Sequence, residues 1–178
     1  ISYIILQKRG TDDEAQALRH LCRKFTEIKT PTARAAVLSI VGDMHETHNE
    51  FAPQLLRYIA QNFADEPPEV RLQSLTLAAK LIALKRAETT EDLNSIPELQ
   101  VPFYLLRICE RDNEFDVRDR ARFLLTLIES KSEKISKHLK ELLFPKRSMP
   151  TWTAADFKNE YQLGTFSNFF NREVAGYD

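Results

Sequence analysis

The stretch Asp112-Asn-Glu-Phe-Asp-Val-Arg-Asp-Arg-Ala-Arg-Phe-Leu-Leu-Thr-Leu-Ile128 predicts a tight turn followed by an amphipathic helix. Asp116 is placed to accept from the free N–H groups of the first helical turn. The apolar residues fall at i, i+4, i+7, i+8 and i+11, which is one stripe on a 3.6-residue period: Val117, Ala121, Leu124, Leu125 and Ile128. The stretch therefore predicts a helix that buries one face.

The same pattern recurs twice upstream, at offsets of 47 and then 37 residues. The first copy starts its stripe at Val70 and the second at Ala33, and in each copy an arginine follows the first stripe residue: Arg34, Arg71 and Arg118. A shorter apolar pattern precedes each copy, so that two helices repeat together. In the first two of these preceding patterns, Leu18 and Leu56 are equivalent residues, 38 positions apart; Leu105 belongs to the third. Regular recurrence of a helix pair indicates a repeat architecture.

Helix pairs with proline opening the second helix and a Val-Arg or Ala-Arg start are typical of HEAT repeats. The predicted fold class is therefore all-α, an α-α superhelix (HEAT/armadillo-like solenoid) over residues 1–144. We expect the helix between Pro68 and Lys85, which is apolar on two sides, to lie between neighbours. Val70 and Val117 are expected in the core. The repeated arginines are expected to pair with turn acids such as Asp65 and Asp112 rather than bind a ligand.

Residues 131–144 predict the first helix of one more unit that lacks its partner, and residues 87–99 predict a polar loop between repeats. Residues 145–178 show little helical periodicity, although the final 35 residues hold eight of the 17 aromatic residues. A solvated linker does not carry so much apolar surface. We expect an extended tail packed on the solenoid, burying Trp152, Phe166 and Phe170; the alternative is a tail that orders on a partner subunit.

Composition excludes several functional classes. The 178 residues are 43% hydrophobic and 29% charged, as in a folded domain, and a net charge of −1 argues against nucleic acid as the main partner. No apolar run is long enough to span a membrane, and a start at Ile1 suggests a piece of a longer chain. Cys22 and Cys109 are expected to be buried free thiols in a reducing cytosol. His45 and His48 lack the spacing of a zinc helix.

We find no pattern typical of a catalytic, cofactor-binding or metal site, so the chain is not expected to be an enzyme. The most basic stretch lies in residues 131–147 and includes Lys134, Lys137 and Lys140. Two interpretations of this stretch remain open. It is either a solvated helix face or a surface that contacts an anionic membrane, worth about 1 kcal/mol per basic residue close to the lipid.

Four segments resemble the beta-adaptins, the large beta subunits of heterotetrameric vesicle-coat adaptor complexes, and specifically that of adaptor protein complex three. They are residues 28–42 (IKTPTARAAVLSIVG), 75–81 (LTLAAKL), 115–123 (FDVRDRARF) and 161–167 (YQLGTFS) with 175–177 (AGY). The first and third are partly generic repeat chemistry, whereas the fourth points to the third complex. The region resembled is the C-terminal part of the beta trunk, and residues 87–99 show no clear match.

The resemblance implies a curved, non-catalytic scaffold that clasps a medium subunit, faces a second large subunit and also belongs with a small subunit. Such a hetero-oligomer sorts membrane cargo from Golgi or endosomes to the vacuole or lysosome. It implies a cytoplasmic location, peripheral on those membranes and on coated vesicles. No cargo-binding residue carries over. The alternative function is a generic HEAT-repeat protein-binding module, such as a transport receptor or a phosphatase scaffold.

Overall fold

The computed structural model describes residues 12–89, 92–130, 132–145, 161, 164–170 and 172–176, and these residues contain helices and turns but no β-strand. The chain divides into two compact units, Ile1–Pro145 and Lys146–Asp178. The α-helices among the described residues of the first unit are α1 (Asp12–Lys24), α2 (Pro31–Asp43), α3 (Phe51–Gln61), α4 (Pro68–Glu88), α5 (Gln100–Cys109), α6 (Phe115–Ile128) and α7 (Glu133–Leu143).

Local chemistry explains where the helices of the second layer begin. Pro31 and Pro68 open α2 and α4, where the missing N–H has no intrahelical partner to lose. The capping role expected of Asp116 at the start of α6 is wrong, because Asp116 lies inside the first helical turn. The side chain that accepts from the backbone before α6 is that of Asp112, whose Oδ1 accepts from the N–H of Glu114 at 2.9 Å.

Helices α1, α3 and α5 form one layer and α2, α4 and α6 form the other, with contacts between successive members of each layer. The predicted stripes of α4 and α6 are entirely buried, and that of α2 is buried except for Ala33 at its free end. Leu75 and Ala79, on the second side of α4, are also fully buried. Helix α4 contacts α2, α3, α5, α6 and α7, which confirms its expected place between neighbours. The fold is the predicted all-α solenoid.

Helix α7 departs from the expectation that it begins another unit of the first layer. Its main contacts are with α4 and α6 of the second layer, and Lys140 Nζ lies 2.7 Å from Glu46 Oε1, in the turn after α2. Helix α4 has 21 residues against 13 in α2 and 14 in α6. Its apolar C-terminal half therefore offers α7 a surface, on which α7 buries Leu139.

The segment between α4 and α5, which we expected to be a polar loop, packs apolar side chains against the core. Helix α4 continues to Glu88, and two short 3-10 helices follow, Leu93–Ser95 and Pro97–Leu99. Leu99 is buried, and Leu93 and Ile96 pack against the core. Three apolar residues at i, i+3 and i+6 thus anchor a segment that is otherwise polar.

The second unit contains a short helix, α8 (Phe166–Phe170), within the segment that we expected to be extended. Ser167 is buried, and its Oγ accepts from the backbone N–H of Val174 at 2.9 Å. Phe166 and Phe170 are 53% and 54% exposed, so their expected burial is wrong. Trp152 lies outside the described residues. The packing of the tail on the solenoid stays a prediction.

Candidate interaction surfaces

The repeated arginines lie at the N-terminal edge of the second layer, where turns connect successive units. Arg71 in α4 makes an ion pair with Asp112, in the turn before α6. Arg34 in α2 pairs with Glu66 rather than with Asp65. Asp65 is an exposed residue of the short 3-10 helix before α4 (Phe63–Asp65), whereas the Glu66 side chain is only 11% exposed. Each of these two pairs joins one unit to the next, which supports a structural interpretation.

Arg118 occupies the same repeat position in α6, the last helix of the second layer. Its guanidinium lies over the ring of Phe115, 4.7 Å from the centroid, and donates to the carbonyl oxygen of Asp112 at 3.4 Å. Both contacts stay within its own unit. Val70 and Val117, which precede Arg71 and Arg118, are fully buried.

A third inter-unit contact involves Lys80, which sequence reasoning missed. Lys80 is only 5% exposed, forms an ion pair with Asp43 of α2, and places its Nζ 5.2 Å from the centroid of the Phe144 ring. Asp43 and Lys80 are separated by 37 residues, which is the offset between α2 and α4. Opposite charges at equivalent positions of adjacent repeat helices were the available signal.

Arg86, near the end of α4, joins α4 to α6 at the C-terminal edge of the second layer. Its guanidinium donates to the carbonyl oxygen of Ile128 and to that of Ser130, the latter at 3.4 Å. The last carbonyls of a helix have no intrahelical donor, so Arg86 satisfies the end of α6. Arginines therefore join α4 to the next unit at both edges of the layer.

A cavity of about 460 Å³ is bordered by helices α3, α4 and α7 and by the turn that follows α2. Its apolar lining includes Leu81, Leu84 and Leu99. Lys85 lies 3.3 Å from Glu88 and 3.4 Å from Glu98, and the hydrogen bond that Lys85 donates to the Glu88 carboxylate raises the Lys85 pKa above its ordinary value. The cavity is therefore an apolar hollow with an ion-paired rim.

His45 lines this cavity and is buried. Burial lowers its pKa below 6.5, although the nearby Glu88 carboxylate acts in the opposite direction. His48 lies apart from it, with Nε2 3.7 Å from Glu14 Oε1. Within the described residues no cluster of three or more metal-ligating side chains is present.

The basic residues singled out on α7 are Lys134, Lys137 and Lys140, and all three are exposed. Lys140 is held by Glu46, and His138 lies 2.8 Å from Glu141. The positive charge of this helix is thus partly compensated by neighbouring carboxylates. Among the described helices, none is long and apolar enough to cross a membrane.

The two cysteines are free, as predicted; Cys109 is buried and Cys22 is partly buried. Burial raises the pKa of Cys22 to about 11 and that of Cys109 to about 12, with the Asp112 charge adding to the effect on Cys109. The thiolate is the nucleophilic form of cysteine. Neither thiol is therefore activated at neutral pH.

The last helix pair exposes large apolar side chains. Tyr104 and Ile108 of α5 are 57% and 40% exposed, and Phe115 and Phe123 of α6 are 71% and 57% exposed. We call these four residues the end surface, because they lie on the last pair of the two-layer stack.

Comparison with known proteins places the chain in a family. Residues 4–132 match the model of the adaptin N-terminal region. AP-3 complex subunit beta-1 of Mus musculus is 34% identical over 183 residues, which cover 99% of this chain and 16% of the relative. AP-3 complex subunit beta-2 of Mus musculus is 33% identical over 182 residues, with the same coverage of both chains.

AP-3 complex subunit beta of Saccharomyces cerevisiae is 34% identical over 153 residues, covering 75% of this chain and 18% of the relative. The chain thus spans less than a fifth of the length of these relatives. The family match covers most of the two-layer helical stack, and the similarity to the mouse subunits extends over nearly the whole chain. The chain belongs to the adaptin family and is similar to the beta subunits of AP-3 complexes.

Proposed function

We propose that this chain is part of a non-catalytic scaffold subunit of a heterotetrameric vesicle-coat adaptor complex, acting in intracellular protein transport. The observation that carries the proposal is the similarity to AP-3 beta subunits over 99% of the chain. A HEAT-like solenoid suits the role, because stacked helix pairs form a long surface on which other chains assemble.

The contacts between units support a scaffold rather than a hinge. Successive second-layer helices are joined at their N-terminal edge by Arg34 and Arg71, and within the layer by Lys80. Arg86 adds a contact at the C-terminal edge. These charged groups are partly or largely buried and each meets a specific partner in the next unit, so the contacts fix how adjacent units are positioned.

The partners in this proposal are a medium, a small and a second large adaptor chain, in a complex that associates peripherally with Golgi or endosome membranes. Its cargo moves to the vacuole or lysosome. We assign the subunit no catalytic role, which agrees with the high pKa values of its two thiols. The exposed Lys134, Lys137 and Lys140 are proposed to contact anionic lipid when the complex is on a membrane.

Co-expression of the full-length parent chain with medium, small and second large adaptor chains tests the proposal. We expect a 1:1:1:1 complex by native mass spectrometry. Recovery of the parent chain without those chains, and instead with a phosphatase subunit or a transport cargo, would contradict the proposal and favour the generic HEAT-repeat module.

A further inference from the structure

Helix α4 extends beyond its repeat equivalent, α2. At the offset of 37 residues, Asp43, the last residue of α2, is equivalent to Lys80, so residues 81–88 of α4 have no counterpart in α2. These additional turns form one side of the cavity of about 460 Å³, through Leu81 and Leu84. Ligand pockets in proteins have volumes of roughly 300–1,000 Å³. The cavity is therefore large enough to hold a small molecule.

The cavity contains a buried polar group that the protein leaves unsatisfied. His45 lines the cavity and is only 9% exposed, and its Nδ1 atom is buried without a hydrogen-bond partner among the described residues. A neutral imidazole has one N–H donor and one acceptor nitrogen. Because a buried polar group without a partner is unfavourable, the ring has hydrogen-bonding capacity that a molecule in the cavity can use.

The charged side chains around the cavity differ in whether they already have a partner. Three are cationic and three are carboxylates. The two lysines pair with the three glutamates at N···O distances of 2.7–3.4 Å: Lys85 with Glu88 and Glu98, and Lys140 with Glu46. Arg57 is exposed and has no ion pair with a described residue. A cationic ligand must compete with these lysines for a carboxylate, whereas an anionic ligand finds the Arg57 guanidinium unpaired.

A carboxylate suits this arrangement better than a phosphate. A phosphate monoester brings about −1.5 to −2 charges, which would lie close to three glutamate side chains. A carboxylate brings a single charge, which one guanidinium neutralises, and arginine binds carboxylates through two parallel N–H donors. The apolar lining, which includes Leu81, Leu84 and Leu99, then requires an apolar group next to that carboxylate.

We propose that this cavity binds a small apolar carboxylate, a molecule in which one carboxylate group is attached to an aliphatic or aromatic group. The carboxylate accepts from the Arg57 guanidinium and from the N–H group of the His45 ring, and the apolar group packs on the leucines. Free aliphatic and aromatic acids have this chemistry, as does an apolar residue at the C-terminus of a peptide. The site belongs to this chain alone and does not depend on assembly of an adaptor complex.

Three ligands with the same six-carbon chain test the charge selection. Hexanoate, hexylamine and hexanol are titrated into the 178-residue chain, and binding is followed by NMR spectroscopy. Hexanoate should bind at least about tenfold more tightly than the other two, because hydrogen bonds to a charged group contribute at least that much. No binding of hexanoate, or binding no tighter than that of hexylamine, would overturn the proposal.

A second pair of compounds distinguishes the two sources of the carboxylate. N-acetylleucine resembles the C-terminal residue of a peptide, and N-acetylleucinamide lacks only its carboxylate. The amide should bind at least about tenfold more weakly than the acid. Tighter binding of N-acetylleucine than of hexanoate would assign the site to a peptide C-terminus, and the reverse order to a free acid. Equal binding of the acid and its amide would show that no carboxylate is recognised.

Arg57→Met removes the guanidinium and keeps an apolar stem of similar length. The affinity for hexanoate should fall about tenfold, and the fold tolerates the change because Arg57 is exposed. Arg19→Met is the matched control. Arg19 is the equivalent of Arg57 in α1 at an offset of 38 residues, is also exposed, and does not line the cavity. It should change the affinity less than about twofold. Equal losses in the two variants would contradict the site.

The His45 ring gives a readout that a purely apolar contact does not change. A carboxylate beside the ring favours the imidazolium form, so saturating hexanoate should raise the His45 pKa, measured from the ring C–H resonances. Hexanoate should also bind more tightly at pH 5.5 than at pH 7.5, where carboxyl groups are largely ionised at both values. Hexanol should not raise the pKa. The charged groups that line the cavity with the ring are the same in both titrations: Glu46, Arg57, Lys85, Glu88, Glu98 and Lys140. A His45 pKa that hexanoate leaves unchanged would refute the contact with the ring.

Discussion

At the scale of single residues, this protein places charged groups in a largely apolar stack by giving each a specific neighbour. Lys80 is the clearest case: its ammonium group meets the Asp43 carboxylate and the face of the Phe144 ring, while its stem passes Gly42. A Cβ atom on Gly42 would lie 3.1 Å from Leu77 Cδ1. The missing side chain thus lets α2 approach α4 closely enough for the ion pair.

Replacing Gly42 by valine should therefore destabilise the fold. The branched side chain would press on Leu77 and on the Lys80 stem, both of which are held in place, and overpacking of this kind costs about 1–3 kcal/mol. Chemical denaturation measures the change. Ala36→Val, at an exposed position of α2, is the control and should cost less than about 1 kcal/mol. Equal effects of the two substitutions would contradict a close approach at Gly42.

Val117 provides a test of the predicted core stripe. Because Val117 is 0% exposed, Val117→Asp places an unpaired charge in the core and should lower the free energy of unfolding by more than about 3 kcal/mol. Arg120→Asp, on the exposed side of the same helix, should cost less than about 1 kcal/mol. A melting midpoint unchanged by Val117→Asp would show that the stripe is not packed as described.

His45 makes stability depend on pH in a defined direction. Its folded-state pKa is lowered from 6.5, mainly by burial, so the unfolded chain binds the proton more readily. The stability that uncharged His45 contributes to the fold is therefore present above pH 6.5 and is lost as the pH falls below that value. The melting midpoint of the wild type should fall between pH 7.5 and 5.5 more than that of His45→Gln. Parallel pH profiles of the two proteins would refute the assignment.

At the scale of the elements, each second-layer helix is joined to its successor by a long cationic side chain that crosses the gap between units. The Arg71 and Asp112 side chains are 15% and 8% exposed, so this contact differs from a surface ion pair such as Lys24–Glu27, which is 51% and 65% exposed. The register between α4 and α6 therefore depends on charge pairing as well as on the apolar stripes.

Removing only one partner of the Arg71–Asp112 ion pair should lower the free energy of unfolding. Arg71→Met leaves the Asp112 carboxylate buried without its counter-charge and should lower stability by about 3 kcal/mol. In a double-mutant cycle, Asp112→Asn should recover part of that loss when combined with Arg71→Met. The exposed control, Lys24→Met, should change stability by less than about 1 kcal/mol. Simple additivity of Arg71→Met and Asp112→Asn would show that the two side chains are not coupled.

At the scale of the whole molecule, we predict that the aromatic-rich tail packs on the solenoid. Removal of residues 149–178 should lower the thermal midpoint if Trp152 is buried on the first unit. One buried ring is worth about 2 kcal/mol, which corresponds to roughly 4–8 °C. Limited proteolysis of the intact chain gives an independent measure. Rapid loss of the tail, leaving a solenoid of unchanged stability, would favour a tail that orders only on a partner subunit.

The amino-acid sequence by itself determined the number of helix pairs, their apolar stripes and the all-α solenoid, because a 3.6-residue period repeated at regular offsets leaves one way to bury those stripes. The pairing of Arg71 with Asp112 was also predictable, since an arginine and a turn acid recur together at an offset of 47 residues, as Arg71 with Arg118 and Asp65 with Asp112. The Arg34 partner, Glu66, differed from the expected Asp65 because local turn geometry selects between adjacent acids.

Tertiary structure decided where α7 goes and what it leaves open. Nothing in the apolar pattern of residues 131–144 distinguishes a helix stacked on α5 from one that crosses α4, because both bury the same stripe. The unequal lengths of α4 and its neighbours provide the surface that α7 takes. The same choice leaves Tyr104 and Ile108 uncovered, and this is why the end surface is visible only once the helices are packed.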